Sequence, residues 1–173
     1  MNDFKKDLEY SHSCEDDPCW LEIYRKAFPT MTDIISHRQD GWHQRAGVDR
    51  SVILANSKQI LIDEKARRIK NTGDIMLEYI SNDRTNAPGW VEKSLKCDYI
   101  AYAFMPSGIA FLLPVNQLQT AWIKNKIGWL RKYKTRTAIN DSYKTLNCPV
   151  PINELYQAIG QCLRIRFEPS REE

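Results

Sequence analysis

The chain has 173 residues, of which 42% are hydrophobic and 27% are charged, and its formal net charge at pH 7 is +3. These proportions are typical of globular proteins and exclude collagen-like and wholly disordered chains. No apolar run approaches the ~20 residues that span a bilayer, and the first residues lack the apolar stretch of a secretory signal. We therefore expect a cytoplasmic protein without a membrane partner.

The charges are unevenly distributed along the chain. Residues 1–20 carry six acidic side chains against two lysines, whereas residues 121–147 carry seven basic side chains against one aspartate. We predict an acidic, loosely ordered segment at 1–17 and a single domain at 18–173. The basic segment favours a polyanionic partner, with a solvated helix face as the alternative interpretation.

The cysteines do not indicate a disulfide or zinc framework. The chain has five cysteines and three histidines, and no pair of them has the spacing of a zinc finger. Reduced, buried thiols are therefore favoured over structural zinc.

Hydrophobic periodicity predicts a helix at 18–28, with Asp17 as its N-cap, and leaves residues 30–46 ambiguous. Three apolar segments separated by short polar turns then predict an antiparallel meander. Its strands are predicted at 51–56, 59–66 and 74–80.

The second half of the chain continues the α/β pattern. Two apolar strands are predicted at 97–105 and 109–115, joined by Pro106-Ser107-Gly108. Helices are predicted at about 117–132 and about 153–160. Together these elements predict a mixed α/β domain with one central sheet.

Two carboxylates and one lysine are predicted to converge on the first hairpin. If residues 56–58 form its loop, Asp49 lies opposite Lys65, and Asp63 lies diagonally beside Asp49 on the same face. Two neighbouring carboxylates repel each other unless a hard divalent cation such as Mg²⁺ lies between them. A surface salt bridge is the alternative interpretation of the same residues.

The acid at Asp49 and the triplet Asp63-Glu64-Lys65 resemble the motif of the PD-(D/E)XK nuclease superfamily. Gly73–Glu78, Pro88-Gly89-Trp90 and Cys97–Ile100 also resemble the sequence that follows the lysine in small phage and mobile-element members. The resemblance implies a restriction-endonuclease-like α-β-β-β-α-β core, with a mixed central sheet flanked by helices. It also implies a bacterial or phage-encoded, Mg²⁺-dependent endonuclease that could use Mn²⁺.

The resemblance further implies roles for individual residues. Asp49, Asp63 and Glu64 are the implied metal ligands, Lys65 is the implied catalytic lysine, and Glu78 is a further catalytic candidate. Whether Glu64, Glu78 or Glu22 completes the site stays open.

Basic residues in two segments are the candidates for nucleic-acid binding. They are Arg67, Arg68, Lys70, Lys124, Lys126, Arg131 and Lys132. DNA is favoured over RNA as the partner, and a homodimer is compatible with cleavage of both strands. The alternative function is a catalytically silent nucleic-acid-binding or protein-interaction module on the same fold.

Overall fold

The computed structural model describes residues 2–3, 10, 13–14, 16–37, 40–140, 142–160 and 162–169. The chain divides into two compact units. The first unit comprises Met1–Glu9, Thr72–Ser94 and Asn116–Gln161, and the second comprises Tyr10–Asn71, Leu95–Val115 and Cys162–Glu173. The predicted acidic segment at 1–17 lies mostly outside the described residues. The single domain at 18–173 stays a prediction.

The described chain contains a mixed β-sheet together with helices, which confirms the α/β class. The strands are β1 (Asn2–Asp3), β2 (Met31–Ser36), β3 (Arg50–Leu54), β4 (Gln59–Arg67), β5 (Asp74–Asn82), β6 (Ala87–Pro88), β7 (Tyr99–Phe104), β8 (Ile109–Pro114), β9 (Arg136–Ile139), β10 (Lys144–Pro151) and β11 (Leu163–Arg166). The helices are α1 (Cys19–Ala27), α2 (Gly41–Ala46), α3 (Val115–Lys132) and α4 (Ile152–Ile159). Met105–Ser107 forms a short 3-10 turn.

The second unit is built on a six-stranded sheet in the order β11-β8-β7-β4-β3-β2. The sheet is mixed, because β4 and β7 are parallel while its other neighbouring strands are antiparallel. Helix α1 buries Trp20, Ile23 and Tyr24 in a core that includes Ile62 and Leu112 of the sheet. The N-cap is Pro18 and not the predicted Asp17, because the helix begins at Cys19. The carboxylate of Asp17 accepts a hydrogen bond from the Cys19 N–H at 2.8 Å from the position before the cap.

The predicted meander is wrong in its third strand. The hairpin of β3 and β4 is present, but β5 pairs with β10 and β6 in the other unit. The second neighbour of β3 is β2, which lies in the region that the sequence left ambiguous. Its alternation is hard to recognise because most of its residues are exposed on an edge strand.

The first unit contains the sheet β1-β9-β10-β5-β6. Helix α3, which belongs to this unit from Asn116 onward, buries Trp122 and Trp129. The Trp129 indole N–H donates to Glu154 of α4 at 2.7 Å, which links the two helices.

All five cysteines are free thiols, and four of them are buried, as expected for a reduced protein. Among the described residues, no helix is both long enough and apolar enough to cross a membrane.

Candidate active site

A glycine turn places Asp49 at the start of β3. Helix α2 is followed by Gly47 in the left-handed conformation (φ +68°), and a side chain at that position would collide with Leu95. After this turn the Asp49 N–H donates to the Ile62 carbonyl at 2.8 Å, and the Asp49 carbonyl accepts from the His37 N–H at 2.8 Å. The backbone of Asp49 is therefore held on both sides.

The β3–β4 hairpin has a different register from the predicted one. Arg50 pairs with Ile62, whereas the predicted loop would pair it with Glu64. The loop consists of residues 55–57 because Ser57 adopts a left-handed conformation (φ 62°), and the Leu54 N–H donates to the Lys58 carbonyl at 2.9 Å. This shift of two residues brings Asp49 next to Asp63 and the Glu64 backbone, not opposite Lys65.

Asp49, Asp63 and Lys65 nevertheless come together. The Lys65 ammonium lies 2.6 Å from Oδ1 of Asp63. The Asp49 carboxyl is in hydrogen-bonding contact with that of Asp63, and its Oδ2 accepts from the Glu64 N–H at 2.7 Å. The side chain of Asp49 therefore supplies the acceptor for a backbone N–H of β4, a role that a backbone carbonyl usually has in a sheet.

Asp63 is a buried carboxyl with a raised pKa. It is 5% exposed, and its pKa is raised to about 6, chiefly because burial disfavours the charged carboxylate. The Lys65 ammonium lowers the pKa and the negative charge of Asp49 raises it, and both effects are included in this net value. One lysine does not balance two adjacent carboxylates, so the site favours an additional positive charge: either a proton or a bound cation.

Cys97 lies near this carboxyl as a neutral thiol. Burial raises its pKa to about 12, and the neighbouring Asp63 charge also raises it. The protonated thiol is not a nucleophile at neutral pH.

Glu64 points to the opposite face of β4, as strand alternation requires. Its side chain, 1% exposed, accepts hydrogen bonds from the Tyr24 hydroxyl at 2.6 Å and from Nε of Arg50 at 3.1 Å. These contacts join α1 to the sheet, and they separate Glu64 from Asp49 and Asp63. The structure therefore does not place Glu64 with the other implied metal ligands.

The two other acidic candidates have separate surroundings. Glu22 of α1 binds Lys26 at 2.6 Å and accepts from the Glu168 N–H at 3.2 Å. Glu78 lies on β5 of the first unit, where it pairs with Asn147 of β10.

The basic residues after Lys65 differ in their environment. Arg67 lies on the same face of β4 as Asp63 and Lys65, whereas Arg68 and Lys70 are exposed. The Arg67 guanidinium lies 5.9 Å from the ring centroid of Tyr102, the residue that pairs with Lys65 on β7. The buried Nε of Arg67 has no hydrogen-bond partner among the described residues.

The basic residues of α3 fall into two pairs. Lys126 binds Glu92 and Lys132 binds Glu154, each at 2.7 Å. Lys124 and Arg131 are exposed and have no ion pair within the described part of the chain.

One group of ligand-type side chains was missed from the sequence. His37, Asp40 and His43 bring a potential ligand atom each to within 4.8 Å of one another. The signal is the spacing H-x₂-D-x₂-H on the loop and helix that lead to Asp49.

Comparisons of this chain with protein-family models, with curated proteins and with solved structures find no match.

Proposed function

We propose that the protein is a Mg²⁺-dependent endonuclease that hydrolyses nucleic-acid phosphodiester bonds at Asp49, Asp63 and Lys65. The observation that carries this proposal is the contact between two carboxyls, one of them buried, with one lysine on the buried carboxyl. The charge deficit at this contact fits a hard divalent cation, with Asp49 and Asp63 as its ligands. Glu64 is not part of this ligand set because Arg50 and Tyr24 bind it on the other face.

Each side chain has a distinct role in the proposed reaction. When bound, Mg²⁺ would lower the pKa of a water and neutralise charge that develops on phosphorus. Asp63 orients the Lys65 ammonium, which can hold the attacking water or a phosphate oxygen. The water oxygen forms a bond to phosphorus, the bond from phosphorus to the leaving oxygen breaks, and a proton from water ends on that oxygen.

The order of elements in the second unit supports the PD-(D/E)XK resemblance. Helix α1 is followed by three antiparallel strands, β2 to β4, with α2 between the first two, and β7 lies parallel to β4. Asp49 immediately precedes the second of these strands, and Asp63 and Lys65 lie on the third. The resemblance implies these strand positions, but the helix that it places between the third and fourth strands is absent from residues 68–98, where β5 and β6 lie instead. We therefore infer a restriction-endonuclease-like arrangement for these four strands alone.

The direct test is cleavage of duplex, branched and single-stranded DNA, and of RNA, with and without Mg²⁺. We expect Mg²⁺-dependent cleavage, with DNA as the better substrate. Asp49→Asn should abolish cleavage and keep salt-dependent binding. Binding without cleavage in the wild type would favour the silent module, and neither binding nor cleavage would contradict the nuclease proposal.

Arg67 is the best candidate in this site for contacting the phosphate. A buried donor without a partner costs about 1–3 kcal/mol, and a phosphate oxygen would supply the missing acceptor. Its guanidinium stacks near Tyr102, at the level of Lys65 along the sheet. Arg67 is therefore expected to act on the scissile phosphate, not merely to attract the flanking backbone.

We expect Arg67→Ala to lower kcat/KM about 10- to 100-fold, because a hydrogen bond to a charged group contributes about 1.5–3 kcal/mol. Arg68→Ala is the matched control, since it removes an adjacent, exposed guanidinium. Steady-state cleavage kinetics of both variants provide the measurement. Equal losses in the two variants would contradict a specific role for Arg67.

Helix α3 offers a second matched comparison. If it contacts the nucleic-acid backbone, Lys124→Ala with Arg131→Ala should flatten the salt dependence of duplex binding by roughly 0.9 per lost phosphate contact. Lys126→Ala with Lys132→Ala should have a smaller effect, because Glu92 and Glu154 already bind these lysines. Fluorescence anisotropy at several salt concentrations measures both slopes. Identical slopes in wild type and the first pair would exclude α3 from the interface.

A further inference from the structure

His37, Asp40 and His43 form a compact group of ligand-type side chains apart from the carboxylate pair. The imidazole rings of His37 and His43 are stacked, with their centroids 3.8 Å apart. Oδ2 of Asp40 lies 2.8 Å from Nδ1 of His43. One potential ligand atom from each residue falls within a 4.8 Å span.

The surrounding contacts hold this group in place. Oδ1 of Asp40 accepts from the Trp42 N–H at 2.9 Å at the start of α2, which leaves Oδ2 directed at His43. Nε2 of His37 lies 2.6 Å from the hydroxyl of Ser51, a fully buried residue on β3. Gln59 donates to the same hydroxyl at 2.6 Å. A hydrogen bond at one ring nitrogen orients an imidazole and leaves its other nitrogen available as a metal ligand.

We propose that His37, Asp40 and His43 bind a divalent transition-metal ion of the Zn²⁺ type. Imidazole is a preferred ligand of Zn²⁺, and two imidazoles with one carboxylate make a three-ligand set that keeps a coordination position open. Ligand atoms on one tetrahedral zinc ion at about 2.1 Å are roughly 3.4 Å apart. This distance lies between the 2.8 Å contact of Asp40 with His43 and the 4.8 Å limit of the group. The ion takes the place of the direct contact between Oδ2 of Asp40 and Nδ1 of His43.

Metal binding requires one local rearrangement. A metal ion lies in the plane of each imidazole that binds it, so the two stacked rings must tilt apart about their Cβ–Cγ bonds. Both histidines also bind the backbone next to Asp49. The His37 N–H donates to the Asp49 carbonyl, and the His43 carbonyl accepts from the Val48 N–H. An ion that joins the two histidines would therefore stabilise the backbone between His37 and Asp49. It would share no ligand with a cation bound by Asp49 and Asp63.

The test is calorimetric titration of the full chain with Zn²⁺, and optical titration with Co²⁺, in excess Mg²⁺. We expect one equivalent to bind to wild type and to Asp49→Asn. Loss of a residue that only supports a metal ligand typically weakens binding roughly 10- to 100-fold, and Ser51→Ala should fall in this range. Substitution of a ligand itself should weaken binding more, in each of the variants His37→Gln, Asp40→Asn and His43→Gln. His12→Gln is the matched control and should bind as wild type does.

Two further readouts distinguish this site from other ligands. The Co²⁺ complex should lack a thiolate charge-transfer band, because the proposed ligand set contains no cysteine. In wild type, Co²⁺ should broaden the NMR ring signals of two of the three histidines, a measurement that needs no variant to fold. A thiolate band, or binding that survives both histidine substitutions, would overturn the proposal; loss of binding in Asp49→Asn alone would assign the ion to the carboxylate pair instead.

Discussion

Replacing Lys65 by alanine is expected to lower the rate of phosphodiester cleavage about 10²- to 10³-fold, the typical effect of removing one charge partner from a transition state. Lys65 is the cation of the carboxylate pair, and its ammonium lies 2.6 Å from Asp63. Nucleic-acid binding should change little, because many other cations contribute to it. Single-turnover cleavage at saturating Mg²⁺ measures the chemical step directly.

The ion pair between Lys65 and Asp63 determines the pH at which this experiment should be done. Lys65 holds the pKa of Asp63 down against burial and against Asp49, so its removal should raise that pKa above about 6. An assay at about pH 8.5 keeps Asp63 ionised in both proteins and separates loss of the lysine from loss of the metal ligand. Lys58→Ala is the matched control, since Lys58 is an exposed lysine of the same hairpin. Cleavage by Lys65→Ala at the wild-type rate would refute the catalytic role.

The convergence of Asp49, Asp63 and Lys65 could be predicted from the sequence because it depends on strand alternation. Asp63 and Lys65 share a face in any regular strand, whatever its partner. The register depends on one residue in the turn, Ser57, whose left-handed conformation no local pattern indicated. The shift was two residues, so the predicted face was retained while the predicted neighbours changed.

The partner of β5 could not be predicted in the same way. Asp74–Asn82 has the local pattern of a strand, and the preceding turn suggested that it follows β4 in one sheet. Its actual neighbour, β10, lies about 70 residues further along the chain, and such long-range pairing is not encoded in local periodicity. The same limitation applies to His37 and His43, whose ring contact depends on the fold of the loop between β2 and α2.

Asp63→Asn is expected to stabilise the protein in the absence of metal. The folded pKa of Asp63, about 6, lies above its ordinary value of 3.8, so the folded chain retains a proton that the unfolded chain has already lost. The resulting stability is present below about pH 4 and is lost as the pH rises to about 6. At about 1.4 kcal/mol per pKa unit, the penalty above pH 6 is about 3 kcal/mol.

The amide removes this penalty while it keeps the shape of the site. Its oxygen can still accept from Lys65, and its NH₂ group can donate to Asp49. In EDTA, the free energy of unfolding of Asp63→Asn should equal that of wild type near pH 4 and exceed it by about 3 kcal/mol near pH 8. Asp33→Asn is the control, because it removes an exposed carboxylate from the same sheet and should change the free energy by less than ~0.5 kcal/mol.

Magnesium should nearly remove this difference in stability. At 100 times its dissociation constant, Mg²⁺ adds about 2.7 kcal/mol to the stability of wild type, whereas Asp63→Asn has lost one of the two carboxylate ligands and should gain far less. The advantage of the variant near pH 8 should therefore nearly disappear when Mg²⁺ replaces EDTA. Chemical denaturation of both proteins at two pH values, with and without Mg²⁺, gives all the free energies required. A variant that is less stable than wild type in EDTA near pH 8 would show that Asp63 is stabilised as a carboxylate by its own surroundings, and the charge deficit that supports the metal site would not exist.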